Sequence, residues 1–314
     1  MSTPLFYLGL AATSAFAFLA TYLTGNDYAY YAGYIVLQYV VLATAWNILA
    51  GYTGYINFGT AAFMATGTYT TVIVSKTVAL PLPLLMAVAG LMAGLLGLLT
   101  GYMTMRFKGI FFSIATLALA IVLQTLVVNW SYVGGSRGLY MIRPTSVLFF
   151  KNYAQYLFAL MLILAMLSVV IARAIGRSTI GVGLATIRDD ELAAEACGVP
   201  TFRLKLFATG LSGALMGMAG APVPYYIAYV EPTAAFSLNY TVNSIAMPII
   251  GGMTGWPGPV IGAVLLGSIQ QLATVTISSS LNLLVVGVLL IVFVSFAPNG
   301  IMGLAAGFRT RRQP

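Results

Sequence analysis

The stretch Arg188-Asp189-Asp190-Glu191-Leu192-Ala193-Ala194-Glu195-Ala196-Cys197-Gly198 holds four of the six carboxylates found in 314 residues. Around it the chain is nearly uncharged: 6% of residues are charged, 60% are hydrophobic and the mean hydropathy is +0.97. A water-soluble domain carries about 25% charged residues. So little charge cannot cover a water-exposed surface, and the acidic stretch reads as a solvent-side island on an all-α, polytopic transmembrane helical bundle. At about 20 apolar residues per crossing, the length suits about ten spans in a single membrane domain, residues 1–314. No room is left for a separate soluble domain of ~100 residues.

Working outward from the island, candidate spans are 4–24, 31–50, 55–75, 80–105, 109–130, 154–175, 203–223, 238–254, 258–277 and 281–299. The first run, Pro4 to Thr24, has no Lys or Arg ahead of it. A cleaved signal peptide has a positive leading segment, so this run reads as the first retained span. A charge at mid-membrane costs about 2.5–3.5 kcal/mol on insertion scales, and basic residues collect in cytoplasmic loops. Arg106/Lys108, then Arg173/Arg177/Arg188/Arg203/Lys205, then Arg309/Arg311/Arg312 should therefore share the cytoplasmic face. Even numbers of candidate spans separate the three clusters, as that requires, and both termini then lie inside an inner (plasma) membrane. Residues 131–153 run against the rule: they carry Arg137, Arg143 and Lys151, yet parity places them outside.

The formal net charge of +8 is accounted for by those cytoplasmic clusters, and nucleic acid is not expected as a partner. One cysteine, Cys197, and no histidine exclude an internal disulfide, a multi-thiolate metal site and His-ligated haem. No G-x-x-x-x-G-K-[ST] occurs, so the chain has no P-loop for ATP. Asp27 and Glu231 are the only acids away from the island, and parity places both in short outside segments. Proton-coupled carriers place an acid or histidine inside the membrane, and no candidate span offers one. A sodium-coupled carrier using backbone carbonyls stays open.

Two glycine-rich segments interrupt the apolar pattern, Trp46–Phe63 (WNILAGYTGYINFGTAAF) and Pro248–Pro259 (PIIGGMTGWPGP). Irregular backbone at membrane depth survives only where protein or a water-lined cavity satisfies it, and paired interruptions in two halves point to a translocation site. Residues 46–63 read as a broken helix or pore lining, with Asn47, Tyr52, Thr53, Asn57, Thr60 and Phe63 as candidate path residues. Residues 251–259, dense in Gly and Pro, read rather as a tight turn. Small residues also recur at four-residue spacing, Gly90/Gly94, Gly97/Gly101, Gly213/Gly217 and Gly258/Gly262, as they do where membrane helices approach closely.

The island lies in the longest cytoplasmic segment, residues 176–202. Arg188 to Cys197 can form a short amphipathic helix, with Asp189 and Asp190 near its positive dipole end and Gly198/Pro200 as its stop. Glu191 and Glu195 share a face at i, i+4 spacing. Such a concentration of acid in a charge-starved chain reads as a docking helix for a partner protein. Together with the missing P-loop it points to a conduit powered by a separate subunit.

The sequence resembles the integral membrane permease subunits of branched-chain amino acid ABC importers, specifically the longer of the two paralogous permeases. The blocks that carry the resemblance are Ala45–Tyr69 (AWNILAGYTGYINFGTAAFMATGTY), Phe111–Leu126, Gly134–Leu139 (GGSRGL), Gly183–Ala221 and Ile250–Gly262. Of these, Gly183–Ala221 is the most specific, being similar to the permease loop that contacts the ATPase. On that resemblance Arg188, Asp189, Asp190, Glu191, Glu195 and Gly198 are the candidate ATPase-coupling residues. It implies two cytoplasmic ABC ATPase subunits that use ATP, a paralogous permease subunit, a periplasmic solute-binding protein and contact with membrane lipid. No catalytic residue, metal or cofactor is implied for this chain itself. The family's Gly-His-Ala-Ala-Phe stands here as Gly59-Thr60-Ala61-Ala62-Phe63, and related permeases carry urea, short amides or other amino acids. Against the importer permease stand a self-sufficient channel or ion-coupled carrier and a membrane scaffold without transport.

Overall fold

The computed structural model describes all residues except 1–2, 25, 105–106, 108, 144–149, 151, 277–281, 298–299 and 305–314. Arg106, Lys108, Lys151, Arg309, Arg311 and Arg312 thus lie outside the described residues. The chain folds as an all-α bundle: α1 (Thr3–Thr24), α2 (Asp27–Thr53), α3 (Thr60–Thr77), α4 (Leu82–Thr104), α5 (Ile110–Val128), α6 (Tyr153–Gly176), α7 (Thr179–Asp189), α8 (Glu191–Ala196), α9 (Thr201–Gly220), α10 (Val223–Ile227), α11 (Pro232–Ala235), α12 (Leu238–Gly251), α13 (Pro257–Thr276) and α14 (Asn282–Phe296). The described residues of each expected span lie mainly on one of these helices. Among the described residues six stretches are long and apolar enough to cross a membrane: α2, α4, α5, α6, α13 and α9 continued through α10. The third expected span begins at Thr60 rather than residue 55, because 54–59 is unwound.

Buried deepest is α2. Asn26 caps its start by accepting a hydrogen bond from the Tyr28 amide, and Gly54, at φ +77°, closes its end. A left-handed residue past the last turn is where glycine is favoured. From Val40 to Gly51 every residue of α2 is buried, as befits a helix apolar on all sides. It packs against α6, α9, α12 and α13.

Along the most extensive contact of the bundle, α4 lies on α9. A Cβ added at Gly97 would stand 2.7 Å from the Thr209 carbonyl oxygen, and one at Gly213 would stand 2.9 Å from that of Ala93. Gly90, Gly94, Gly101 and Gly217 face the same seam, while Gly258 and Gly262 abut Gly252 and Met247 where α13 meets α12. All four glycine pairs therefore mark helix contacts, where small residues let backbones close up and dispersion adds up. By contrast α5 is largely exposed, with Phe112, Thr116 and Ala120 its buried residues.

The connections sort to two ends of the bundle. At one end β1 (Leu139–Tyr140) pairs antiparallel with β2 (Tyr229–Val230), Leu139 opposite Val230. Asn152 donates to Asp27 at 2.6 Å and Lys76 to the Tyr132 carbonyl at 2.6 Å. The segment 131–143 thus sits with Lys76 and with residues 228–230. At the other end lie 54–59, the α7–α8 segment and the 252–256 turn.

Candidate functional site

The acidic segment is not one helix. Ser178 caps α7, accepting from the Gly181 amide at 3.3 Å, and α7 runs to Asp189. Asp190 then takes an extended conformation (φ −158°, ψ 112°), and its Oδ1 accepts from the amides of Leu192 (2.9 Å) and Ala193 (3.1 Å). The single helix expected over Arg188–Cys197 is therefore corrected to α7 ending and α8 beginning about Asp190. An Asp side chain that serves the following turn competes with the continuing backbone bonds. Asp189 consequently ends α7 instead of starting a helix. A carboxylate there opposes the dipole, and Arg188 lies beside it at 3.4 Å. The stop lies where expected: Cys197 caps α8 and Gly198 turns at φ +84°.

The six candidate coupling residues face different ways. Asp189 is 73% exposed at its side chain, and Leu192, Glu195, Cys197 and Gly198 also face out. Ala194 is buried. Arg188 spans the boundary, donating to the Gly51 carbonyl at 3.3 Å. Glu195 accepts from the Thr201 hydroxyl at 2.6 Å, at the start of α9. Glu191 turns inward: Lys205 Nζ lies 2.5 Å from its Oε1, and the Tyr55 hydroxyl donates to its Oε2. Glu191 and Glu195, i and i+4 apart, thus go to separate partners.

Opposite Glu191 lies the break between α2 and α3. Its backbone is satisfied by side chains of three helices. Trp46 Nε1 donates to the Asn57 carbonyl (2.8 Å), Ser113 to that of Ile56 (2.8 Å) and Thr241 to that of Phe58 (3.3 Å). The Phe58 amide donates to Thr116 Oγ1 at 3.0 Å. Irregular backbone inside a membrane protein needs this kind of support. Burial, and then the hydrogen bond to the Glu191 carboxylate, push the Tyr55 phenol up, so it stays protonated and donates.

Of the six candidate path residues, Asn47, Thr53, Asn57, Thr60 and Phe63 are buried and Tyr52 is half-buried. Asn47 Nδ2 reaches the Gly255 carbonyl at 3.4 Å, which joins the two glycine-rich segments. The latter, 252–256, is the turn between α12 and α13. Tyr52 donates to the Ala172 carbonyl (3.2 Å) and Thr53 to that of Leu49 (2.6 Å), whereas Phe63 packs on Gly213. Asn47 Oδ1, Asn57 Nδ2 and Thr60 Oγ1 have no hydrogen-bond partner among the described residues; nor do Thr44 Oγ1, Thr71 Oγ1 and Ser212 Oγ. A buried polar atom left this way costs about 1–3 kcal/mol.

The sequence reading missed Lys205 and Tyr55 as site residues. Lys205 was grouped with the cytoplasmic bases, but it is 3% exposed; its place two residues inside a candidate span was the available signal. Arg173, from the same group, is buried too, 3.7 Å from the centre of the Phe6 ring. Also missed was a buried chain in the bundle's other half, where Gln270 Nε2 donates to Asn243 Oδ1 (2.7 Å) and Asn243 Nδ2 to Tyr39 (3.3 Å). Among the described residues no three of Cys, Asp and Glu gather as metal ligands would.

Comparison with known proteins bears on this geometry. The family model described as "Branched-chain amino acid transport system / permease component" matches residues 29–294. The chain is 25% identical over 294 residues to the "High-affinity branched-chain amino acid transport system permease protein LivM" of Escherichia coli (strain K12), covering 85% of this chain and 68% of that one. Its Salmonella typhimurium counterpart gives the same identity and coverage. A "Probable branched-chain amino acid transport permease protein LivH" of Methanocaldococcus jannaschii is 25% identical over 203 residues, 61% of this chain and 63% of that one. No solved structure matches the chain.

Proposed function

This chain belongs to the family of branched-chain amino acid transport system permease components, and from that premise we propose that it forms part of the translocation path of an ABC importer for branched-chain or closely related amino acids. It is a multi-pass membrane transport subunit. In the reading proposed it crosses the inner membrane ten times, with both termini and the α7–α8 segment in the cytoplasm. It pairs there with two ABC ATPase subunits, pairs within the membrane with a paralogous permease, and receives solute from a periplasmic binding protein. ATP is bound and spent by the partners, and this chain contributes no cofactor site.

What carries the reading is the family match, which runs through both the acidic segment and the α2–α3 break. Their contact at Glu191 and Tyr55 supports it by setting the exposed α8 against irregular backbone inside the bundle. The unpartnered polar atoms of Asn47, Asn57 and Thr60 support a path beside that break, since a passing ammonium, carboxylate or water would satisfy them. A switch between outward- and inward-open states is then a rigid-body change driven from the ATPase side.

The test is reconstitution. Proteoliposomes holding the permease pair, the ATPase subunits and the binding protein should take up radiolabelled leucine only with ATP. Uptake by this chain alone, without ATPase or binding protein, would overturn the reading in favour of a self-sufficient channel or carrier.

A further inference from the structure

Three segments converge on one carboxylate, two of them neighbours in the chain and the third 136 residues away. Glu191 belongs to α8, Lys205 to α9 and Tyr55 to the α2–α3 break. The Lys205 ammonium lies 2.5 Å from Glu191 Oε1, 3.4 Å from the Tyr55 hydroxyl and 4.9 Å from the centre of the Tyr55 ring. Tyr55 donates to the other carboxylate oxygen. Side-chain exposures of 3% for Lys205 and 14% for Glu191 mean that both charges sit out of bulk water. Removing either one leaves its partner charged and buried, which is the costly way to break such a pair.

A helix of six residues is too short to hold its own position, so α8 stays where its side chains are held. Asp190 caps it and Ala194 packs beneath it, but Glu191 is the α8 side chain with polar bonds to both α9 and the break. From Lys205, α9 continues into Gly213 and Gly217, which lie directly on α4 and α3. A displacement of α8 therefore reaches the core of the bundle through this carboxylate.

We propose that Lys205 and Tyr55 are positioning residues for coupled transport, clamping Glu191 so that α8, α9 and the α2–α3 break move as one body. The proposal rests on the reading of α8 as the ATPase dock, and it makes Glu191 an inward tether where sequence alone made it a partner contact. Asp189 and Leu192 remain on the outward side, free to meet the ATPase.

The experiment uses the complete reconstituted transporter and three readouts: assembly with the ATPase, ATP hydrolysis, and leucine moved per ATP. Tyr55→Phe removes one hydrogen bond to a charged group, equivalent to about tenfold, and Lys205→Met removes the counter-charge. Both should lower leucine moved per ATP about tenfold or more, with assembly and hydrolysis close to those of the unaltered protein. The exchange Glu191→Lys with Lys205→Glu should recover part of that loss. If Lys205→Met does not accumulate in the membrane, Tyr55→Phe and Glu191→Gln carry the test. An unchanged ratio with lowered thermal stability makes the clamp merely structural and overturns the proposal. Lost ATPase assembly in Glu191→Gln makes Glu191 a docking contact and overturns it as well. Leucine uptake by the unaltered protein without ATPase removes the coupling reading beneath it, a failure visible before any variant is made.

Discussion

Asp190 is where the two short helices of the acidic segment part. Its extended backbone and its two bonds to the α8 amides do one job: they start α8 where α7 would otherwise continue. Asp190→Ala should cost α8 about 1 kcal/mol, within the range for a lost cap. Amide exchange at residues 192–196 should then quicken by up to about tenfold, with α9 unaffected, and hydrogen exchange with mass spectrometry reads this directly. Equal protection in the variant would mean that packing alone holds α8. A second residue-scale consequence concerns Gln270, whose amide donates to Asn243 inside the bundle. Gln270→Leu leaves Asn243 Oδ1 without that donor and should destabilise the protein by about 1–3 kcal/mol. A lowered midpoint of thermal unfolding in detergent checks it, and an unchanged midpoint refutes it. The acids of α8 were legible in the sequence as a group, but their directions were not. Whether Glu191 looks out or in depends on Lys205 and Tyr55, 14 and 136 residues away, and no local spacing encodes that.

Between elements, the α4–α9 seam shows how glycines make a membrane contact. At Gly97 the opposing Thr209 carbonyl and the Gly210 Cα leave no room for a side chain. Gly97→Val should therefore push the helices apart and cost about 1–3 kcal/mol or more, read as a lower unfolding midpoint. Gly287, on α14, has nothing within 4 Å of its would-be Cβ. Gly287→Ala should be neutral or stabilise by up to about 1 kcal/mol through helix propensity. Equal losses at both positions would show that the seam is not special. Helix positions were readable because lipid demands long apolar runs without charge, and the four-residue glycine spacing gave the contacts. The start of α3 was not readable. Tyr55 and Ile56 look like span residues, yet 54–59 stays unwound because Trp46, Ser113 and Thr241 supply its hydrogen bonds from elsewhere. Five of the six candidate path residues turned out to be buried at or beside that break. Their polarity flagged the region without showing which atoms would lack partners.

For the molecule as a whole, the decisive property is the segregation of its connections to two ends. α2 joins them with 27 residues, about 40 Å at 1.5 Å per residue, against a hydrocarbon core about 30 Å thick. The acidic segment lies at one end. The segment 131–143, with Arg137 and Arg143, lies at the other, bound to residues 229–230 through β1 and β2. The outer placement expected from parity sets Arg137 and Arg143 against the charge rule, and the fold flanks the segment with one continuous helix on either side, α5 before it and α6 after it. The chain's single cysteine offers a direct measurement, because Cys197 is exposed beside α8. A membrane-impermeant maleimide should label it in inside-out vesicles and leave it unlabelled in intact cells. Moving the thiol to the opposite end, with Cys197→Ser and Ser136→Cys together, should reverse the pattern, since Ser136 is exposed there. Labelling of both positions from one side would mean that the two ends do not face opposite compartments, and the bundle would not span as described. Reversal of both, with Cys197 reached from outside, would keep the span and invert it. An inverted chain sets α8 where no cytoplasmic ATPase can reach, so that single result would remove the coupling role of Glu191, Tyr55 and Lys205 while leaving every contact among them intact.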